Sequence, residues 1–245
     1  MKAFLLAAGL GTRLRPLTDT VPKCLVTVDG TPLLDLWLER LAAAGVSEVL
    51  VNLHHLAEQV TDHLTRRVQP TAIRTVFEPV LLGSAGTLVS NRSFVDGEEM
   101  FLAVNADNLT DFDLEVLVDA HRSQAPVATL ALFRAADPSS CGIVELQDGV
   151  VTAFEEKPPL PRSNLANAGL YAFSPAALDH IRGPLPRDIG HHLLPELVGE
   201  ARGVDIGDAY FRDIGTGQAL EQANWEWAAL WCGVPTAAGD RPLPE

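Results

Sequence analysis

An apolar run, Ala3-Phe4-Leu5-Leu6, leads without interruption into Ala7-Ala8-Gly9-Leu10-Gly11-Thr12-Arg13-Leu14-Arg15-Pro16-Leu17-Thr18, and Pro22-Lys23 follows closely. No other stretch constrains the fold as much. The apolar residues read as a buried strand, and the two glycines after it read as a tight turn at its carboxyl end. Small residues there let backbone N–H groups approach a phosphate, while Arg13, Arg15 and Lys23 supply the charge that neutralises it. The chain is therefore expected to open with a strand whose carboxyl end holds a polyphosphate.

Two common phosphate-binding patterns fail in detail. A dinucleotide fingerprint needs glycine where Leu14 stands, with a helix starting there. Pro16 opposes such a helix, because the residue before a proline is pushed out of the α region. A Walker loop needs Gly-Lys-Ser or Gly-Lys-Thr after four residues, and that tripeptide is absent.

The 245 residues suffice for one sizeable α/β domain. It is expected over residues 1–232, with a Pro-rich tail at 233–245 that is extended or mobile. No stretch approaches the ~20 apolar residues of a membrane span. The first apolar segment ends at Gly9, too short for a signal peptide. A net charge of −14 argues against a nucleic-acid partner and makes the local cluster Arg13, Arg15 and Lys23 stand out. Cys24, Cys141 and Cys232 are odd in number and widely spaced, so neither a disulfide framework nor a zinc site follows, and a reducing cytoplasm is expected.

Strand-like segments at 2–7, 48–53, 73–77 and 100–105 alternate with helical spacing at 33–44, 56–68 and 84–90. That alternation predicts an α/β fold with a largely parallel sheet. Gly45 sits where a helix C-terminal cap belongs. The second half reads as shorter strands at 127–134, 142–146, 150–155 and 168–173, with a hairpin across Gln147-Asp148-Gly149. Ser174-Pro175 predicts a helix start, with a serine cap and proline at the first position. A final helix is expected over 217–232, with Leu220, Trp227 and Trp231 available for packing.

Polar residues then cluster at element ends. The apolar strand Phe101-Leu102-Ala103-Val104-Asn105 runs into Ala106-Asp107-Asn108, and ligand sites of open α/β sheets gather at such carboxyl ends. Asp213 lies in Phe211-Arg212-Asp213-Ile214-Gly215-Thr216, where Thr216 can cap the last helix. Further polar segments are Glu155-Glu156-Lys157-Pro158, Asn167-Ala168-Gly169-Leu170-Tyr171 and Phe77-Glu78-Pro79, the last leading to Gly83-Ser84-Ala85-Gly86. The pairs His54-His55 and His191-His192 are not expected to chelate metal, since adjacent side chains diverge on either kind of element.

Together these motifs resemble the sugar-phosphate nucleotidylyltransferases, whose signature is G-x-G-T-R-[LM]-x-P-[LM]-T followed by P-K. The likeness covers nearly the whole chain. It implies a Rossmann-like, GT-A-like three-layer domain with a mixed, mainly parallel sheet. The implied reaction joins a nucleoside triphosphate to a sugar 1-phosphate and releases pyrophosphate. In that reading Arg13, Lys23, Asp107 and Asp213 are catalytic, and Asp107 and Asp213 hold Mg²⁺. Ala106 replaces a glycine that the family places before the first aspartate. Ala7, Ala8, Gly9, Gly11, Thr12, Arg13, Lys23, Glu78 and Gly83 would bind the nucleotide. Asn105, Glu156, Lys157, Asn167 and Gly169 would bind the sugar phosphate. A carboxylate at Glu78 can accept the adjacent N1–H and N2–H₂ of guanine, which predicts GTP. UTP, dTTP, CTP or ATP as donor, and a cyclitol 1-phosphate as acceptor, stay open. A catalytically silent sugar-nucleotide-binding regulator is the reading from a different class. The resemblance is compatible with a homodimer, which no stretch of this sequence demonstrates, and implies neither a membrane nor a nucleic-acid partner.

Overall fold

The computed structural model describes residues 1–66 and 71–231. Its first half alternates strand and helix: β1 (Lys2–Leu6), a short ribbon of β2 (Thr27–Val28) and β3 (Thr31–Pro32), α1 (Leu33–Ala43), β4 (Glu48–Leu53), α2 (Ala57–Thr65), β5 (Ala72–Phe77), α3 (Ser84–Ser90) and β6 (Phe101–Asn105). After β7 (Asn108–Thr110) and α4 (Leu114–Gln124) come β8 (Ala128–Arg134), β9 (Gly142–Gln147), β10 (Val150–Glu156) and β11 (Leu165–Phe173). The chain then passes through short 3₁₀ and π turns to β12 (Ala201–Asp205), β13 (Phe211–Asp213) and α5 (Gly217–Trp231).

Nine of these strands form one sheet in the order β5-β4-β1-β6-β11-β8-β12-β10-β9. The β5-β4-β1-β6 half is parallel. Strand β11 then runs antiparallel to both β6 and β8, and β12 is parallel to β8. The sheet is thus mixed, its parallel part built from the strands that alternate with helices. Strand β1 lies between two parallel neighbours, which places the Gly-rich turn between the carboxyl ends of β4 and β6.

Side chains on a strand alternate between faces, and β1 shows how three layers result. Ala3 and Leu5 join the core shared with α1, α2 and α4, while Phe4 joins the core under α3 and the turns of 175–197. Both cores are fully buried on these strands. A third cluster joins Val28, Leu33, Leu109 and Ile214 to Ala223 and Trp227 of α5, so the last helix closes over the start of α1.

Local chemistry explains most boundaries. Gly45 ends α1 at φ +76°, and Thr216 Oγ1 accepts the Ala219 N–H at 3.1 Å, capping α5 as expected. Asp148 and Gly149 both have positive φ, the requirement of a two-residue hairpin turn, between β9 and β10. Ser174 does precede a proline-led turn, but the turn is 3₁₀ and the serine side chain makes no capping bond. Helix α4 and strand β12 are additions to the elements expected from sequence. The expected end of α2 at 67–68, Cys232 and the tail at 233–245 lie outside the described residues.

Candidate active site

The Gly-rich turn is closed by two hydrogen bonds to one carbonyl. Leu14 N–H bonds to Gly11 O at 2.9 Å, and the buried Thr18 donates its hydroxyl to the same carbonyl at 2.7 Å. Gly11 has φ +62°, and a Cβ there would lie 2.8 Å from Thr18 Cγ2, so no other residue fits without displacement. The amides of Gly9, Leu10 and Gly11 have no partner among the described residues, whereas Ala7 N–H bonds to Asn52 Oδ1 at 2.7 Å. Ala7 therefore contributes shape, not a free donor.

Lys23 arrives on a 3₁₀ turn, almost wholly buried, and its Nζ stands 2.5 Å from Asp107 Oδ2. Asp107 follows β6, whose first neighbour is β1, so the sheet itself sets carboxylate and cradle side by side. Asp213 reaches them through a second device. Strand β7, directly after Asp107, pairs antiparallel with β13 and sets Asp213 opposite Asn108, and Ile214 N–H bonds to Asp107 O at 2.8 Å. Arg13 Nη2 lies 3.6 Å from Asp213 Oδ2. Sequence positions 13, 23, 107 and 213 thus converge on one spot.

The two carboxylates fit a hard divalent cation. Lost hydration and then the charge of Asp107 hold the Asp213 carboxyl above its usual range, while Lys23 and Arg13 pull it down. Each carboxylate is paired with one cation, Asp107 with Lys23 and Asp213 with Arg13, and the donors are oxygens of the kind Mg²⁺ takes beside phosphate.

Beside this cluster lies a polar cavity of about 310 Å³, with Asn105, Glu156, Lys157 and Asn167 among its lining. Glu156 fits tightly, since a Cβ at Gly142 would lie 2.6 Å from its Oε2 and one at Gly190 would overlap the same atom. Lys157 has φ +50°, a left-handed conformation costing a non-glycine residue about 1 kcal/mol. Its N–H bonds to Cys141 O at 3.0 Å, which fixes the bend that turns the lysine off the end of β10. Asn167 is less available than expected: its amide donates to Tyr171 Oη at 2.7 Å and its oxygen accepts Gly169 N–H at 3.1 Å. Gly169, at φ +70°, makes room for the amides of Asn105 and Asn108, so its part is to let Asn105 approach.

Glu78 departs most from expectation. It is buried; Oε1 accepts Asn52 Nδ2 at 2.9 Å and the Thr87 hydroxyl at 2.6 Å, and Oε2 accepts Leu82 N–H at 3.1 Å. Such a carboxylate organises the ends of β4 and β5 and the start of α3, with both of its oxygens engaged inside the protein. Gly83 likewise serves the backbone: at φ +77° it abuts Arg187, whose main-chain atoms a Cβ would strike. Asn52, buried at the end of β4 and holding Ala7, Glu78 and Thr87 together, was not anticipated; a polar residue in the apolar run Val49-Leu50-Val51-Asn52-Leu53 was its one signal. His54 and His55 bond to the carbonyls of Glu78 and Thr18, consistent with a structural role.

An amide cradle, a buried lysine and two carboxylates, one after a parallel strand and one on the β7–β13 ribbon, define an enzyme site beside a polar cavity. The nucleotidyl transferase family model matches residues 2–229, and the chain belongs to that family. It is 33% identical over 246 residues to the mannose-1-phosphate guanyltransferase beta-A of Xenopus laevis, covering 93% of this chain and 68% of that protein. Against the UTP–glucose-1-phosphate uridylyltransferase of a Synechocystis species it is 33% identical, over 81% of this chain and 55% of the relative. Among solved structures, HddC of Yersinia pseudotuberculosis complexed with GMP-PN shares the fold with a TM-score of 0.77 at 22% identity, covering 92% of this chain and 99% of that one. A Bacillus anthracis structure assigned as a glucose-1-phosphate thymidylyltransferase reaches a TM-score of 0.82 at 23% identity, covering 92% and 94%.

Proposed function

We propose that this chain transfers a nucleotidyl group from a nucleoside triphosphate, GTP in the first instance, to a sugar 1-phosphate, releasing pyrophosphate. The observation that carries the reading is the convergence of Arg13, Lys23, Asp107 and Asp213 beside the cavity that holds Glu156 and Lys157. The choice of GTP rests on curated relatives named as guanylyltransferases, since Glu78 no longer supports it.

A sugar 1-phosphate is already anionic near neutral pH, so its attacking oxygen needs no general base. Catalysis then reduces to alignment and charge neutralisation. Lys157 holds the acceptor phosphate at the cavity rim. Lys23 leaves Asp107 to bridge the reacting phosphates, and the free amides of Gly9–Gly11 with Arg13 receive the pyrophosphate. Mg²⁺ held by Asp107 and Asp213 would supply further neutralisation of the phosphate oxygens.

A pyrophosphate-release matrix, with GTP, UTP, dTTP, CTP and ATP against neutral sugar and cyclitol 1-phosphates, with and without Mg²⁺, tests this reading. GTP with a hexose 1-phosphate is expected to lead. Faster turnover with UTP or dTTP overturns the base assignment, and no release with any pair favours a binding protein.

A further inference from the structure

The cavity that Lys157 lines also carries a turn outside the motifs that defined the site. Asp188, Ile189, Gly190 and His191 line it together with Ser84 and Glu156. This turn is held by main-chain bonds: Arg187 N–H to Leu82 O at 2.8 Å and Gly86 N–H to Arg187 O at 2.9 Å. Ser84 Oγ accepts Ile189 N–H at 2.8 Å, and Asp188 N–H bonds to His192 Nδ1 at 2.9 Å. The backbone under Asp188 is therefore fixed, while its side chain is exposed.

Two carboxylates share this wall, because Gly190, two residues after Asp188, abuts Glu156 Oε2. Neither has an ion-pair partner among the described residues. Ser84 Oγ lies 3.5 Å from Asp188 Oδ1. Carboxylates accept hydrogen bonds through about four lone-pair positions and donate none. Two such groups in one lining match a ligand face rich in hydroxyl donors and repel a second anion. Lys157 is the lysine of this lining, and the acceptor phosphate claims it.

We propose that Asp188 is an acceptor-selecting residue. With Glu156 it makes the cavity accept a neutral, polyhydroxylated 1-phosphate and exclude one bearing an additional negative group. This rests on the sugar 1-phosphate reading above. Preference for the neutral member of an otherwise identical pair is expected to be roughly 100-fold, since two carboxylates in the lining disfavour a further anion inside the same cavity.

The test compares glucose 1-phosphate with glucuronate 1-phosphate, and with glucose 1,6-bisphosphate, at one fixed pH. Wild type, Asp188→Asn and Asp188→Glu are assayed by pyrophosphate release with the best nucleotide, and folding is checked by denaturation midpoint. Asp188→Asn is expected to cut the neutral-over-anionic ratio of kcat/KM by about 10-fold or more. It also raises KM for glucose 1-phosphate and leaves the nucleotide KM within about twofold, while Asp188→Glu restores the ratio. An unchanged ratio in Asp188→Asn refutes the assignment, as does a wild type that prefers glucuronate 1-phosphate. A parallel rise in nucleotide KM refutes it too, by showing general damage. Wild type inactive on every 1-phosphate overturns the parent reading together with this one.

Discussion

Glu78 offers the sharpest test, because its buried position makes predictions opposite to those of a base-reading carboxylate. Three donors converge on it: Asn52 Nδ2, the Thr87 hydroxyl and Leu82 N–H. In Glu78→Ala, Thr87 can turn to Gly83 O, 3.2 Å away, and Asn52 keeps Thr87 Oγ1 at 3.0 Å as an acceptor. Leu82 N–H has no such second partner among the described residues, and a cavity opens where the side chain was. A lost charge-assisted bond and an unmet donor each cost about 1–3 kcal/mol, so the net expectation after this partial rescue is about 2–4 kcal/mol. For a domain of this size that lowers Tm by roughly 5–15 °C. Glu78→Gln keeps the shape but sets an amide donor against a donor, costing about 1–2 kcal/mol. Urea midpoints and thermal melts give the stability, and kcat/KM for GTP against UTP gives selectivity. Both variants are expected to lose stability and to keep the GTP-to-UTP ratio within about threefold at permissive temperature. A Glu78→Gln protein with an unchanged midpoint and a ratio altered tenfold would return Glu78 to the base and refute the reasoning.

Asp107→Asn and Asp213→Asn should each lower kcat about 10²-fold or more with folding intact, and near-normal turnover in either would remove that residue from the chemistry. Gly190→Ala pushes against the Glu156 carboxylate, so acceptor KM is expected to rise about 10-fold with little change in nucleotide KM or melting temperature. His121 is buried against Thr129 Oγ1 at 2.9 Å, and burial lowers its pKa from 6.5 to about 4. The unfolded chain therefore takes up a proton first as pH falls. The stability due to the neutral imidazole is intact above pH 6.5 and is lost between 6.5 and about 4, at most about 3 kcal/mol. Urea midpoints of His121→Gln across that window should show a shallower slope than wild type, and an identical slope would locate the acid sensitivity elsewhere.

Features set by neighbouring residues were readable in the sequence. The Gly-x-Gly turn after β1, the Asp148-Gly149 hairpin and the Thr216 cap all depend on a few adjacent positions. Helix α4 carries equally local signals, an Asp113 cap at Glu115 N–H and helical spacing of Leu114, Leu117, Val118 and His121, yet it was not among the elements expected. The resemblance brought Lys23, Asp107 and Asp213 forward, and the sheet and the β7–β13 ladder show why they meet. What was not legible depends on distant partners. Glu78 beside Pro79 looks like an exposed loop residue; only the fold brings Asn52 and Thr87 to it. The Asp188 turn belongs to the cavity because of its bonds to Leu82, Ser84 and Gly86, about a hundred positions earlier. Strand β12, Ala-Arg-Gly-Val-Asp, carries little apolar alternation, and its place between β8 and β10 comes from pairing.

The seam between residues 82–86 and 187–189 is made chiefly of peptide groups. Main-chain bonds are indifferent to most side chains attached to them, so positions 188 and 191 can change while the wall stays in place. One catalytic centre can thereby be fitted with different acceptor linings by substitution at a few points. The same seam makes the segment after Glu78 and the acceptor wall a single body: whatever displaces one to admit a ligand carries the other along.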